Sequence, residues 1–200
     1  MIGYPKRLRH DNINTREYWE EVWRSEGNKR RIDPDRFANM ALMLNRDETV
    51  LDVGGGLGEF LVFLRTVSFT NTLALVEQSD YAVACARAQS FGAYKADLYH
   101  LPFPDRSWDA VTLGEIVEHV EDPSAAVAEA MRVANRCVVL STPYKTVLND
   151  VPEHVWAWDL DAIKQLLEPH GRVRITMTTE DPGQYHGFRY QIIVAGAFRE

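Results

Sequence analysis

The stretch VLDVGGGLGEF (50–60) brings two carboxylates and four glycines within eleven residues. Gly54, Gly55, Gly56 and Gly58 strip side chains from the chain, so backbone amides can approach a ligand closely. Asp52 precedes them in an apolar run and Glu59 follows them where a helix should begin. A P-loop would require G-x-x-x-x-G-K-[ST]; no lysine stands there, which argues against ATP or GTP. A dinucleotide fingerprint would require glycine in place of Glu59, and a carboxylate at a helix start opposes a pyrophosphate. The ligand that suits this loop is therefore cationic and free of phosphate. Further acids stand at Glu77 and Asp97. Glu115, Glu118 and His119 follow in GEIVEH, and His154 in VPEHVWAW.

A scaffold must bring these groups to one edge. Short apolar runs over 48–54, 72–78, 93–97, 108–114 and 136–143 read as strands. Between them, Leu57, Phe60, Leu61 and Leu64 recur at helical spacing, as do Tyr81, Ala84, Cys85 and Ala88, with Asp80 placed to cap the second helix. A helix is predicted from Glu115, interrupted near Pro123, and another through Leu160, Ile163, Leu166 and Leu167, with Gly171 past its end. RVRITMTTE and RYQIIVAGAFR close the chain as strands with no helix between them, so one of them is antiparallel. The prediction is a doubly wound α/β fold: a seven-stranded, mostly parallel sheet with an antiparallel C-terminal strand. Residues 1–45, with helices around NTREYWEEVW and DPDRFANMALML, read as a helical cap of the same domain, and 46–200 as its body. Ligands of such sheets bind beyond the carboxyl ends of the strands, here the loops 54–58, 77–80, 97–107, 114–123 and 142–158, with 179–188 joining them if the penultimate strand is parallel.

S-adenosylmethionine (SAM) carries an ammonium and a sulfonium and no phosphate, which suits an acid in the strand and another at the helix start. LDVGGGLG resembles the D-x-G-x-G-x-G signature of Rossmann-like, class I SAM-dependent methyltransferases. LPFPDRSWDAVTLGEIVEHVEDP resembles the block that follows in their small-molecule branch, and the likeness covers residues 48–145 well. The resemblance implies a SAM site of Asp52, Gly54, Gly55, Gly56, Gly58, Glu77, Gln78, Asp97, Leu98, Gly114 and Glu115. Glu77 would meet the ribose hydroxyls, Asp97 the adenine amino group, and Leu98 the ring face. Asp52 has two readings, bracing the amides of the glycine loop or contacting the cofactor.

If 115–119 is helical, Glu115, Glu118 and His119 share one face, and His154 can reach it from the loop after the fifth strand. The run is similar to the E-x-x-E-H of metal-dependent O-methyltransferases, in ubiquinone biosynthesis and at small-RNA 3′ ends, which implies a divalent-metal set. Many relatives with EVLEH need no metal, and in the reading without one His119 or His154 acts as a general base; for His154 a hydrogen-bonded structural role is the commoner outcome. Tyr18, Trp19 and Trp23 are expected to form a lid facing Tyr144, Trp156 and Trp158; Tyr185 and His186 are weaker candidates. The N-P-P-Y-like run of methyltransferases acting on planar amide or base nitrogens does not follow the fourth strand, which mildly favours oxygen over such nitrogens as acceptor.

The bulk numbers fit an enzyme of this kind. Net charge is −7, with 22 basic and 29 acidic residues among 200. Residues 1–31 hold eight basic and five acidic side chains, and the rest fourteen and twenty-four. An acidic body is a poor surface for nucleic acid, and the basic segments PKRLR and NKRR read as a solvated arm. Cys85 and Cys137 fall in different elements and are expected as reduced thiols. A polar N-terminus and the lack of a long apolar run lead to the expectation of a cytoplasmic enzyme, with no membrane association and homodimerisation left open. The alternatives are methylation of RNA ends or of a saccharide or lipid intermediate, and a SAM-binding scaffold without catalysis.

Overall fold

The computed structural model describes residues 3–26, 33–145, 151–180 and 190–199. The NKRR segment and the candidates Tyr185 and His186 lie outside the described residues. In chain order the elements are β1 (Lys6–Arg7), α1 (Arg16–Glu26), α2 (Pro34–Ala41), β2 (Val50–Val53), α3 (Glu59–Thr66), β3 (Leu73–Glu77), α4 (Asp80–Ala88) and β4 (Gly92–Lys95). They continue with β5 (Trp108–Gly114), α5 (Pro123–Val133), β6 (Ala134–Pro143), β7 (Trp156–Ala157), α6 (Leu160–Leu167), β8 (Arg172–Glu180) and β9 (Tyr190–Phe198).

Seven strands form one sheet in the order β4-β3-β2-β5-β6-β9-β8. The first five are parallel, and β9 runs antiparallel to both β6 and β8. The strand order reverses between β2 and β5, so their carboxyl ends open the crevice that such sheets use for ligands. Strands buried on both faces are mainly apolar: β2 and β3 are buried at every position, with Asp52 and Glu77 as their acids, and β6 is buried from Cys137 to Pro143. One face packs against α2, α3 and α4 through Phe37, Met40, Phe60, Leu61, Leu64, Val83 and Ala86. The other packs against α5 and α6 through Val127, Ala130, Met131, Ile163 and Leu167.

Helix starts carry their own signals. Asp33 before Pro34, Asp122 before Pro123, and Asp159 each accept a hydrogen bond from the backbone three residues on. Ser79, not Asp80, caps α4, because its hydroxyl accepts from the Ala82 amide. Asp80 instead pairs with Arg16 and Lys95. A second correction concerns residues 115–121, which form turns and not a helix. Glu115 has φ +56, and the Glu118 carbonyl accepts from Val155 and Trp156 instead of from a helical neighbour. Asp122–Pro123 marks the true helix start, and proline at the first position fits a helix that begins there.

The basic N-terminal segment is docked, not solvated. β1 pairs antiparallel with β7, and Leu8 N–H donates to the Val155 carbonyl. Arg7 lies over the Trp156 ring and reaches Glu121 at 2.6 Å. α1 is fastened to the start of α4, where Glu20 accepts from the Ser79 hydroxyl at 2.6 Å and from the Tyr81 amide at 3.1 Å. Cys85 and Cys137 are both free thiols.

Candidate active site

One cavity of about 780 Å³ opens at the carboxyl ends of β2, β3, β4 and β5. Asp52, Gly54, Gly55, Gly56, Glu77, Gln78, Asp97, Leu98, Gly114 and Glu115 all line it. Gly58 does not: it takes φ +88 at the start of α3, so glycine serves the chain's turn there and not ligand access.

The glycine loop is tied down by Glu77. Its Oε2 accepts from Gly56 N–H at 3.2 Å, and its Oε1 from Gln78 and Ser79 N–H at 2.7 and 3.2 Å. Burial raises the Glu77 carboxyl above its ordinary value, and the three amides oppose that shift. Gly54 and Gly55 amides donate to the Val76 carbonyl. Asp52 therefore does not brace the loop amides, and of its two readings the first is corrected. Its Oδ1 accepts from the Thr112 hydroxyl at 2.7 Å, and its Oδ2 lies 2.9 Å from where a Cβ on Gly55 would stand. Burial pushes the Asp52 carboxyl up to about 7, opposed by the Thr112 hydroxyl. A buried acid held at that value in a cavity is poised to ionise when a cation arrives. Asp97 is more exposed; its Oδ1 accepts from Tyr99 N–H at 2.9 Å.

α1 roofs this loop. Trp23 lies against Gly56, where a Cβ would meet its ring at 2.9 Å and where φ is +52. Trp19 stacks on Trp23 with ring centres 5.8 Å apart and meets His119 edge-on at 5.5 Å. Trp19 and Trp23 line the cavity from α1, and Trp19 faces His119. Trp158 belongs to the core instead, and the Trp156 indole donates to the Val120 carbonyl.

The second half of the site departs from the expected helical face. Glu115 turns toward Ser141, whose hydroxyl donates to its Oε1 at 3.0 Å, and toward Arg36 at 3.7 Å. Burial raises its carboxyl. Glu118 is 1% exposed; its Oε2 accepts from the Thr142 hydroxyl at 3.1 Å, and its Oε1 has no hydrogen-bond partner among the described residues. Burial, then the Glu115 charge, pushes this carboxyl well above the ordinary range. His119 lines the cavity, and its Nδ1 lies 3.0 Å from the Glu153 carbonyl oxygen. A carbonyl only accepts, so Nδ1 carries the proton and Nε2 the lone pair. Burial holds this imidazole down to about 4, against the pull of that carbonyl. His154 does not line the cavity. It packs on His119 with ring centres 4.9 Å apart, and burial, then the neighbouring His119, holds it down to about 3.

Residues 51–139 match the family described as "Methyltransferase domain". These residues, just under half of the chain, carry a methyltransferase domain. A demethylmenaquinone methyltransferase of Roseiflexus castenholzii is 33% identical over 110 residues, 49% of this chain and 45% of that protein. A ubiquinone/menaquinone biosynthesis C-methyltransferase of Psychromonas ingrahamii is 29% identical over 122 residues, covering 54% and 49%. The chain thus matches about half the length of these curated relatives. A SAM-dependent methyltransferase of Thermotoga maritima superposes with TM-score 0.72 at 17% identity, over 92% of this chain and 98% of that one. Magnesium protoporphyrin IX methyltransferase of Synechocystis, solved with bound SAM, superposes with TM-score 0.60 at 16% identity, over 96% and 88%. At these identities the superpositions speak for the fold of the methyltransferase domain.

Of the four side chains considered as metal ligands, three converge: donor atoms of Glu118, His119 and His154 lie within 4.8 Å of one another. Two neutral imidazoles and a buried carboxylate oxygen suit a divalent cation in type, and the Glu153 carbonyl on Nδ1 fixes His119 as a second shell would. Such an ion would lower the pKa of an acceptor hydroxyl. Glu115 is not part of the group, and of the three only His119 lines the cavity, so no step is assigned to an ion. Sequence reasoning missed Arg36, Asn12 and Asn14, all of which line the cavity. The Asn14 amide donates to the carbonyls of His119 and Glu153 at 2.9 and 2.8 Å, fixing the His119 turn. No periodicity or motif marks these residues; only the fold brings the N-terminal segment across the mouth.

Proposed function

We propose that the methyltransferase domain methylates a small molecule at an acidic hydroxyl, with oxygen as the favoured methyl acceptor. The observation that carries this reading is a neutral His119 imidazole in the wall of the cavity that the glycine loop also lines. SAM supplies a methyl group on a sulfonium, a good leaving group. Glu77 and Asp97 would hold the ribose and adenine, and the ionised Asp52 the positive end of the donor. His119 Nε2 takes the hydroxyl proton as the oxygen–methyl bond forms and the sulfur–methyl bond breaks. A base with so low a pKa suits a phenol or enol better than an aliphatic alcohol. Trp19 and Trp23 exclude water and hold the acceptor in line, which supplies much of the acceleration.

A second reading is favoured by the names of the two curated relatives, one of them a C-methyltransferase of quinone biosynthesis. Proton removal from a quinol by the same His119 would activate the adjacent ring carbon instead. SAM labelled with carbon-13 in the methyl group, incubated with phenols and quinols, separates the two by the chemical shift of the product. A methoxy signal supports oxygen transfer and a ring-methyl signal carbon transfer. Binding of S-adenosylhomocysteine (SAH) with no labelled product across the panel would sink both.

A further inference from the structure

Asn12 and Asn14 line the cavity together with His119, and their side-chain amides are used differently. Both polar atoms of Asn12 are engaged. Its Oδ1 accepts from the Asn14 backbone N–H at 2.9 Å and from Asn14 Nδ2 at 2.7 Å, and its Nδ2 donates to the His119 carbonyl at 3.2 Å. Asn14 Nδ2 faces three oxygens: Asn12 Oδ1 and the carbonyls of His119 and Glu153, the last two at 2.9 and 2.8 Å. A flipped amide would set oxygen against all three, so the network fixes which atom is Oδ1. That Oδ1 is buried and has no hydrogen-bond partner among the described residues.

We propose that Asn14 Oδ1 is a subsite for a second hydrogen-bond donor on the methyl acceptor, a hydroxyl or N–H separate from the group that is methylated; this rests on the small-molecule acceptor reading above. An amide oxygen only accepts, so its partner must bring a hydrogen. A buried acceptor left alone costs stability, and a ligand that donates to it removes that cost. The subsite lies beside the reacting centre. The same amide holds the backbone carbonyl of His119 and the Glu153 carbonyl that fixes the His119 imidazole. Asn14 thus positions the base through its nitrogen and reads the acceptor through its oxygen. Such a site selects by loss: an acceptor without the second donor leaves Oδ1 unpaired in the complex, where bulk water does not reach it. The class it takes is a ring with two donors, a dihydroxy- or aminohydroxyaromatic compound, in preference to a simple phenol.

The test uses the full chain and a matched series: phenol, the three dihydroxybenzenes, the three aminophenols and the three methoxyphenols. A methoxy oxygen accepts and cannot donate. Wild type should methylate one dihydroxy isomer, and the aminophenol of the same geometry, with kcat/KM about tenfold or more above phenol; the matching methoxyphenol should do no better than phenol. The same order should appear in binding to the SAH complex by calorimetry, a readout that needs no turnover. In Asn14→Ala the preference should fall to within about threefold, even where both rates drop because His119 is less well held; the acceptors' own reactivity cancels in that comparison. Thermal unfolding checks that the variant folds, and the wild-type series needs no variant. Equal kcat/KM and equal binding across the series in wild type, or undiminished preference in Asn14→Ala, would overturn the subsite and leave the acceptor reading standing. The expected order in binding with no methylated product would support the subsite and sink the reading of the acceptor as a methylated hydroxyl. If no member binds the SAH complex or is methylated, both fall.

Discussion

The two halves of the cavity are built differently. The donor half is made where β2, β3 and β4 end, and its geometry follows from regular strands: Glu77 closes β3, and its carboxylate gathers three backbone amides. The acceptor half is made where the chain leaves regular structure. His119 stands in a run of turns held by distant partners: Asn12 and Asn14 from the N-terminal segment, and Glu153 from the loop after β6. The first half offers a donor preorganised backbone and strand-end acids. The second depends on three separate pieces of chain meeting at His119, two asparagines on its backbone carbonyl and the Glu153 carbonyl on its imidazole, so donor binding and proton removal should be separable by mutation.

The largest effect should come from the acceptor half. His119→Ala should lower kcat by about 10²–10⁴-fold, the usual reach of a general base, while SAH affinity measured by calorimetry stays within about twofold. A fall in kcat of less than tenfold would remove His119 from the chemistry. Next is Glu77→Ala, which leaves the amides of Gly56, Gln78 and Ser79 without their acceptor. At about 1–3 kcal/mol for an unsatisfied buried group, SAH affinity should fall about 10–100-fold, and kcat at saturating donor should be largely kept. If kcat fell with affinity, the two halves would not be separable in the way described.

Asp52 gives a smaller effect that sharpens the electrostatic side of the comparison. Its carboxyl titrates at about 7 in the folded protein, above its ordinary value of 3.8. Folding therefore holds a proton between those values: the associated stability is full below about 4 and is lost as pH rises through about 7. Ligand binding has the opposite sign, because an ammonium favours the ionised carboxylate. SAH affinity should rise about tenfold from pH 6 to pH 8, and Asp52→Asn should flatten that profile. An equally steep profile in the variant would assign the titration elsewhere. The smallest effect is expected at His154, which packs behind His119 and outside the cavity. His154→Ala should change kcat by less than about tenfold, and a loss equal to that of His119→Ala would give the two imidazoles one shared role.

The same contrast decides what the sequence could reveal. Apolar runs ending in Gly54, Glu77 and Gly114 announce parallel strands, and the loops they enter are the ones that line the cavity. Apolar spacing placed the starts of α3, α4 and α6 within a residue or two, although Ser79 takes the cap expected of Asp80. The run at 115–119 misleads because its i, i+3, i+4 spacing is also that of a helical face. The positive φ of Glu115 and the pairing of the Glu118 carbonyl with Val155 and Trp156 are tertiary choices. The signal against a helix was present in Asp122–Pro123: α5 starts at Pro123, eight residues later than the periodicity suggests. Arg36, Asn12 and Asn14 were invisible for a simpler reason: they precede the sheet in sequence and reach the cavity only when α1, α2 and β1 fold across it.

The glycine loop and its acids should select an ammonium-bearing, phosphate-free donor. Calorimetric titration of the intact protein with SAH, with NAD and ATP run in parallel, tests it most directly. The prediction is saturable one-to-one binding of SAH and none of the two phosphate-bearing ligands; absence of SAH binding, or binding of NAD or ATP with equal affinity, would contradict it.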